Sequence, residues 1–249
     1  MNFPPKKILI LGATSAIAQA ISRKFATADS HFFLAARDAE KLAAVATDLR
    51  ERTSCKTNEW TGNLADTSLH AELLQQAAET LGQFDLALVA YGVLPEQATV
   101  QDDTDAVLAS LNTNFNSTAS LLTRLAPVFE KQQRGTLAVI TSVAADRGRK
   151  TLYVYGAAKA GLGAFTDGLR GRLLPHGVQV LNIKPGIIDT PMTAGIKKGL
   201  LASTPEKVAA DVHTAIRKCR DILYTPGRWW LVMFIIRHIP ERIFKKLSI

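Results

Sequence analysis

Tyr155 and Lys159 stand as Y-x-x-x-K, with Ser142 thirteen residues before the tyrosine. Positions four apart lie about one helical turn from each other, so both side chains would project from one helix face. An isolated phenol titrates near pH ~10 and exchanges protons poorly at neutrality. An ammonium beside it favours the phenolate and lowers that value, which suits a group that protonates an alkoxide and can take the proton back. Ser142 ends the apolar run Leu137-Ala-Val-Ile-Thr-Ser142, so its hydroxyl would emerge at the carboxyl edge of a strand. From there it can donate to a carbonyl oxygen on which charge develops. Reduction of a carbonyl by hydride transfer needs these three groups. Y-x-x-x-K alone is common by chance and fits a solvated helix face, so the triple acquires meaning only beside a cofactor site.

The amino terminus supplies that site. Lys7-Ile-Leu-Ile-Leu11 has the pattern of a short buried strand, followed at once by Gly12-Ala-Thr-Ser-Ala-Ile-Ala18 and a helical stretch through Phe25. Strand, glycine turn and helix in that order aim backbone N–H groups and a positive dipole end at a pyrophosphate. Gly12 provides a turn that a side chain would obstruct, Thr14 and Ser15 add hydroxyl donors, and Ala16 and Ile17 open the helix. Alanines at 16 and 18 occupy positions where a G-x-x-x-G-x-G loop has its later glycines. Ala18 only affects helix–strand packing, whereas Ala16 narrows the space above the phosphates.

The second strand, His31-Phe-Phe-Leu-Ala-Ala36, runs into Arg37, with no acid at its end to chelate a ribose diol. A guanidinium there suits a 2′-phosphate by bidentate pairing, so NADP(H) is expected over NAD(H). Asp38 sits one position late and is read as the cap of a helix over 39–49.

Across nearly its whole length the chain resembles the short-chain dehydrogenase/reductase family. The resemblance rests on Gly12–Ala18, Asn63-Leu64, Ala90-Tyr91-Gly92, Asn114, Ser142, Tyr155/Lys159 and Pro185-Gly186-Ile-Ile-Asp-Thr190. It implies that Tyr155 is the general acid/base and that Lys159 lowers its pKa and binds the nicotinamide ribose. Ser142 would orient the carbonyl and Asn114 would support a proton-relay water. Pro185-Gly186 would line the nicotinamide, with Ile188 at its carboxamide and Thr190 following. Asn63 stands where the family has Asp beside the adenine, and Ala90-Tyr91-Gly92 replaces Asn-Ala-Gly, so the support under the central strands must differ. The implied fold is a single doubly wound Rossmann-type α/β domain, its seven parallel strands in the order 3-2-1-4-5-6-7 with helices on both faces. The segment from Arg228 to Leu247, Val89–Leu94 and the Thr14-Ser15 loop are also similar to the decaprenylphosphoryl-2-keto-ribose reductase branch, which reduces a keto-sugar on a polyprenyl-phosphate carrier. Homodimers or homotetramers are what the family leads one to expect.

The positioning elements are legible in outline. Apolar runs recur near 7–11, 32–36, 85–90, 136–141, 178–183 and 222–224, with a weaker one near 56–60. Helical patterns fill the gaps over 68–81, 104–130, 153–174 and 205–218. Such alternation predicts a parallel sheet with right-handed crossovers, and Leu9, Leu34, Val89, Val139 and Val180 are expected inside it. At 249 residues and 47% hydrophobic, one domain is the natural fit. Residues 1–225 would form the catalytic domain and 226–249 an extension of it. Cys55 and Cys219 are far apart without metal spacing, and read as reduced thiols. The first residues lack an apolar signal region, which points to a cytoplasmic protein.

The net charge of +8 raises nucleic acid, but no nucleic-acid motif is present, and residues 226–249 hold half of the charge with five Lys/Arg against one Glu. Trp229–Ile236 is apolar throughout yet far shorter than the roughly 20 residues a bilayer-spanning helix needs. Indoles and basic residues around a short apolar segment suit in-plane contact with the inner face of a membrane. A partner subunit or closure of the substrate pocket accounts for the segment equally well. A lid is expected over 193–203, where Lys197 and Lys198 meet a substrate phosphate or are simply solvated. The expected activity is NADPH-dependent reduction of a small-molecule or lipid-linked ketone. The alternatives are another ketone class (steroid, acyl-thioester or xenobiotic), a non-catalytic NADPH-binding scaffold, and an adaptor driven by the basic tail.

Overall fold

In the computed structural model, which describes residues 3–195 and 199–247, strands and helices alternate along the chain. The order is β1 (Lys7–Leu11), α1 (Ala16–Phe25), β2 (His31–Ala36), α2 (Ala39–Thr53), β3 (Lys56–Thr61), α3 (His70–Leu81), β4 (Leu86–Val89), α4 (Gln97–Val100) and α5 (Thr104–Leu111). It continues with α6 (Ser117–Gln132), β5 (Gly135–Ile140), α7 (Tyr153–Leu173), β6 (Val178–Pro185), α8 (Pro205–Arg217), β7 (Ile222–Thr225), α9 (Arg228–His238) and α10 (Glu241–Phe244). The strands form one sheet in the order β3-β2-β1-β4-β5-β6-β7, with every neighbouring pair parallel.

Successive strand residues point to opposite faces, and the chain fills both with apolar side chains. Ile8, Ile10, Phe32, Leu34, Leu86 and Leu88 face one side, where they meet α1, α2 and α8. Leu9, Leu11, Phe33, Ala87, Val89 and Val139 face the other, under α3, α6 and α7. Leu9, Leu34, Val89, Val139 and Val180 are all buried, as expected. A parallel sheet covered on both faces reads as continuous hydrophobic runs. β3 is the exception: an edge strand, polar except for Trp60, which blunts further pairing.

The single helix predicted over 104–130 is two helices. α5 and α6 are joined by one π-helical turn, Asn112–Asn116, that holds Asn114. The extra residue in the turn rotates Asn114 inward, where its side chain bonds both backbone groups of Val93 instead of continuing the helix surface.

Candidate active site

Beyond the carboxyl ends of the strands, where the order reverses between β1 and β4, lies a cleft of about 600 Å³. Ligands of open α/β sheets bind at this topological switch point. Every residue predicted to touch cofactor lines it, as do Ser142, Tyr155 and Lys159. Asn114 does not line it. It lies fully buried directly behind Gly92.

The Gly12 end of the cleft is built from β1 and α1. Gly12 has φ of +93°, and a Cβ there would stand 2.8 Å from Tyr91 Cβ and 2.9 Å from Tyr91 N, so only glycine fits between the two strand ends. Its N–H and that of Ala13 donate to Ala35 O at 2.8 and 3.0 Å, folding the loop across β2. Gln19 Nε2 donates to Thr14 O at 3.0 Å and steadies the turn. Ser15 makes no side-chain bond to the first turn of α1, which leaves those amides directed at the cleft. Tyr91, the departure from the family pattern, ties this region to α6 by a 2.9 Å hydroxyl bond with Ser117 Oγ.

At the end of β2, Arg37 is exposed, lines the cleft and has no hydrogen-bond or ion-pair partner among the described residues. Asp38 caps α2 by accepting from Lys41 N at 3.0 Å, which holds its carboxyl below the ordinary value. Asn63 turns back on its own loop, its Oδ1 accepting from Ala65 N at 3.1 Å. Leu64 is fixed by His70, which was not anticipated: the buried imidazole bonds Leu64 O and Ser120 Oγ, both at 3.0 Å. Burial draws the His70 pKa down.

At the opposite end, Ser142 follows β5, and its Oγ accepts from Ala144 N at 3.0 Å while also bonding the Tyr155 hydroxyl. Tyr155 and Lys159 extend from the same face of α7, as their spacing predicts. The electrostatics differ from the expectation. Burial pushes the Tyr155 phenol up to about 12, and the Ser142 bond offsets only part of that. Lys159 Nζ lies 5.8 Å from the Tyr155 ring centroid and donates to Ile140 O at 3.3 Å. Burial in turn pulls Lys159 down to about 8. A Cβ on Gly92 would come within 2.6 Å of Asn114 Oδ1 and 3.5 Å of Lys159 Nζ, so the amide and the ammonium meet beneath that glycine.

The remaining wall comes from the segment after β6 and from the tail. A Cβ on Gly186 would overlap the Trp229 indole at 1.8 Å, so the ring presses directly on the Pro185-Gly186 backbone. Trp229 is 5% exposed and lines the cleft, whereas Trp230 is 57% exposed. The two tryptophans therefore have separate roles in this chain. Thr193 Oγ1 bonds Ile188 O and folds the 190–193 turn back on the cleft. Lys197 and Lys198 lie outside the described residues. Arg149, Leu152 and Met192 also line this end and carried no sequence signal, since only tertiary packing brings them there.

The family model for short chain dehydrogenases matches residues 6–200. The chain therefore belongs to the short chain dehydrogenase family, oxidoreductases that act on CH–OH groups with NAD(P). An uncharacterized oxidoreductase of Mycobacterium tuberculosis (strain H37Rv) is 32% identical over 240 residues, spanning 96% of both proteins. An uncharacterized oxidoreductase of Streptomyces coelicolor is 30% identical, over 99% of this chain and 97% of its own length. Among solved structures, a short-chain dehydrogenase from Sphingobium yanoikuyae in complex with NADPH shares the fold at a TM-score of 0.81 and 21% identity, over 95% of this chain and 97% of that one.

Proposed function

We propose that this chain is an NADPH-dependent carbonyl reductase in which Tyr155 is the proton donor. The observation that carries the reading is the convergence of Ser142, Tyr155 and Lys159 on the cleft that also holds the Gly12 turn and Arg37. The cleft suits a phosphorylated dinucleotide. It offers a side-chain-free turn at Gly12, open first-turn amides on α1 and an uncommitted guanidinium at Arg37 for a 2′-phosphate. Bound there, NADPH supplies the hydride. The protein's part is to hold the carbonyl oxygen against the Ser142 and Tyr155 hydroxyls and to pass one proton to it. With its pKa at about 12, Tyr155 carries that proton throughout the neutral range. Lys159 and the buried Asn114 sit behind it, placed to restore the proton through water. Asn63 and Leu64 flank the adenine, and Ile188 and Thr190 the carboxamide.

The substrate reading follows the tail. An aromatic wall at Trp229 and an exposed apolar face of Trp230, Leu231, Phe234 and Ile235 favour a ketone with a large apolar portion, such as a keto-sugar on a polyprenyl-phosphate carrier. Arg228, Arg237, Arg242, Lys245 and Lys246 are exposed around that face, which favours an anionic membrane surface over a partner subunit as its neighbour. Among the described residues no helix is long and apolar enough to cross a membrane. Tyr155→Phe tests the reaction: NADPH consumption over a ketone panel should fall by about 10²–10⁴-fold, with NADPH affinity kept. Unchanged turnover removes Tyr155 as the acid, and NADPH binding without turnover in the parent protein identifies a nicotinamide-binding scaffold instead.

A further inference from the structure

Arg149 is a third cation in the cleft wall, together with Arg37 and Lys159, and shares that wall with the Ser142–Tyr155 pair. It precedes α7 by a short turn in which Leu152 N donates to Arg149 O at 2.9 Å, so its backbone is fixed relative to Tyr155. The guanidinium is half-buried and has no hydrogen bond or ion pair among the described residues. Asp146, an acid whose charge acts on it, has other partners. Asp146 is already taken by Lys184 Nζ at 2.6 Å and by the Tyr224 hydroxyl at 2.7 Å. Glu241, which lines the adjoining smaller cavity, pairs with Arg147 at 2.9 Å. Burial draws the Arg149 pKa down, and the Asp146 charge offsets part of that. Desolvating a cation costs free energy that only an anion or strong acceptors return.

Arg149 also lines a smaller cavity of about 230 Å³ between its own loop and α10, where Lys150, Lys245 and the Arg147-paired Glu241 join it. Three basic groups against one acid therefore line the way from the reacting end of the cleft outward past the tail. The arrangement is a path for an anionic substituent, not for a bare hydrocarbon.

We propose that Arg149 is a specificity-determining residue that binds an anionic group, carboxylate or phosphate, on the substrate molecule. The inference rests on the carbonyl-reductase reading for its biological meaning, but its test does not depend on turnover. Phenyl phosphate, benzoate and neutral acetophenone are titrated by calorimetry into the full-length Arg37→Ala protein, so that the cofactor-phosphate end does not capture the anion. At least one of the two anions should bind more tightly than acetophenone, and whichever does identifies the class. Adding Arg149→Ala should then weaken that anion by about ten- to hundred-fold, as expected for loss of a charge-assisted pair, while Arg149→Lys should retain part of the preference. Equal affinities of anion and acetophenone, or an anion preference unchanged by Arg149→Ala, would overturn the assignment. Failure of the reductase reading would show separately, as absent NADPH consumption by the parent protein with the anion preference still present.

Discussion

Lys159 gives the sharpest test of how the site is tuned. Its ammonium is buried against the backbone of β5, and burial brings its pKa from 10.5 to about 8. The charged form is therefore about nine tenths populated at pH 7 and about one tenth at pH 9. Under limiting NADPH, kcat/KM reports groups of the free enzyme. Plotted against pH, it should be level below 7, bend near 8 and then fall by nearly tenfold per unit. Tyr155 at about 12 cannot supply a break in that range. Lys159→Met should lower the plateau by about ten- to hundred-fold, the loss expected for one charged hydrogen-bonding group, and abolish the bend. Unfolding cannot mimic the effect, because its sign is opposite. A folded pKa below the unfolded one means that the unfolded chain binds more protons between about 8 and 10.5, so stability rises with pH there. Below pH 8 the buried ammonium costs about 3 kcal/mol of stability. Circular dichroism across the series should show the fold intact where activity is lost. The same bend in Lys159→Met, or a level wild-type profile through pH ~10, would refute the assignment of the ammonium to cofactor binding.

Two other predictions separate the halves of the site. Arg37→Ala should raise the NADPH Kd by about ten- to hundred-fold and leave NADH nearly unchanged; equal effects on both would remove the 2′-phosphate assignment. Replacing Trp230 and Phe234 together with serine should reduce partitioning onto phosphatidylglycerol vesicles by about a hundredfold, given the apolar area withdrawn. If vesicle binding is unaffected and the oligomeric state changes instead, that face is a subunit contact.

What the sequence made legible follows from the range of each interaction. The strands and their core were readable because both faces of β1, β2 and β4 alternate apolar residues into separate clusters, whereas their order came with the family resemblance. β3 was faint because an edge strand is polar by need. The nucleotide loop, Arg37 and the Tyr155/Lys159 pair are local patterns, and the cleft gathers all of them. The π turn at Asn114 was hidden, since a helix with one extra residue keeps nearly the same periodicity and Val93, 21 residues away, decides its shape. The tyrosine electrostatics were misjudged for a related reason. Spacing places the ammonium near the phenol, but only packing reveals that burial dominates and that Lys159 turns to Ile140.

The substrate end of the cleft is therefore the part least available to motif reading, and the part most dependent on the tail. Arg147, two residues before Arg149, donates to Ile239 O at 2.6 Å at the end of α9 and lies 3.6 Å over the Phe244 ring of α10. Trp229 Nε1 donates to Leu201 O at 3.2 Å, and Arg228 Nη2 to Ala202 O at 2.7 Å, so the start of α9 fastens the last residues of the segment expected as a lid. One short helix thus supports the loop carrying Arg149, forms the wall at Trp229 and presents Trp230 and Phe234 outward. Displacing α9 by engagement of its outer face cannot leave the inner wall unchanged, because Gly186 and the indole are already in direct contact. Whatever covers the exposed face of α9 is consequently coupled, through one turn of helix, to the shape of the cleft wall at Gly186 and Trp229.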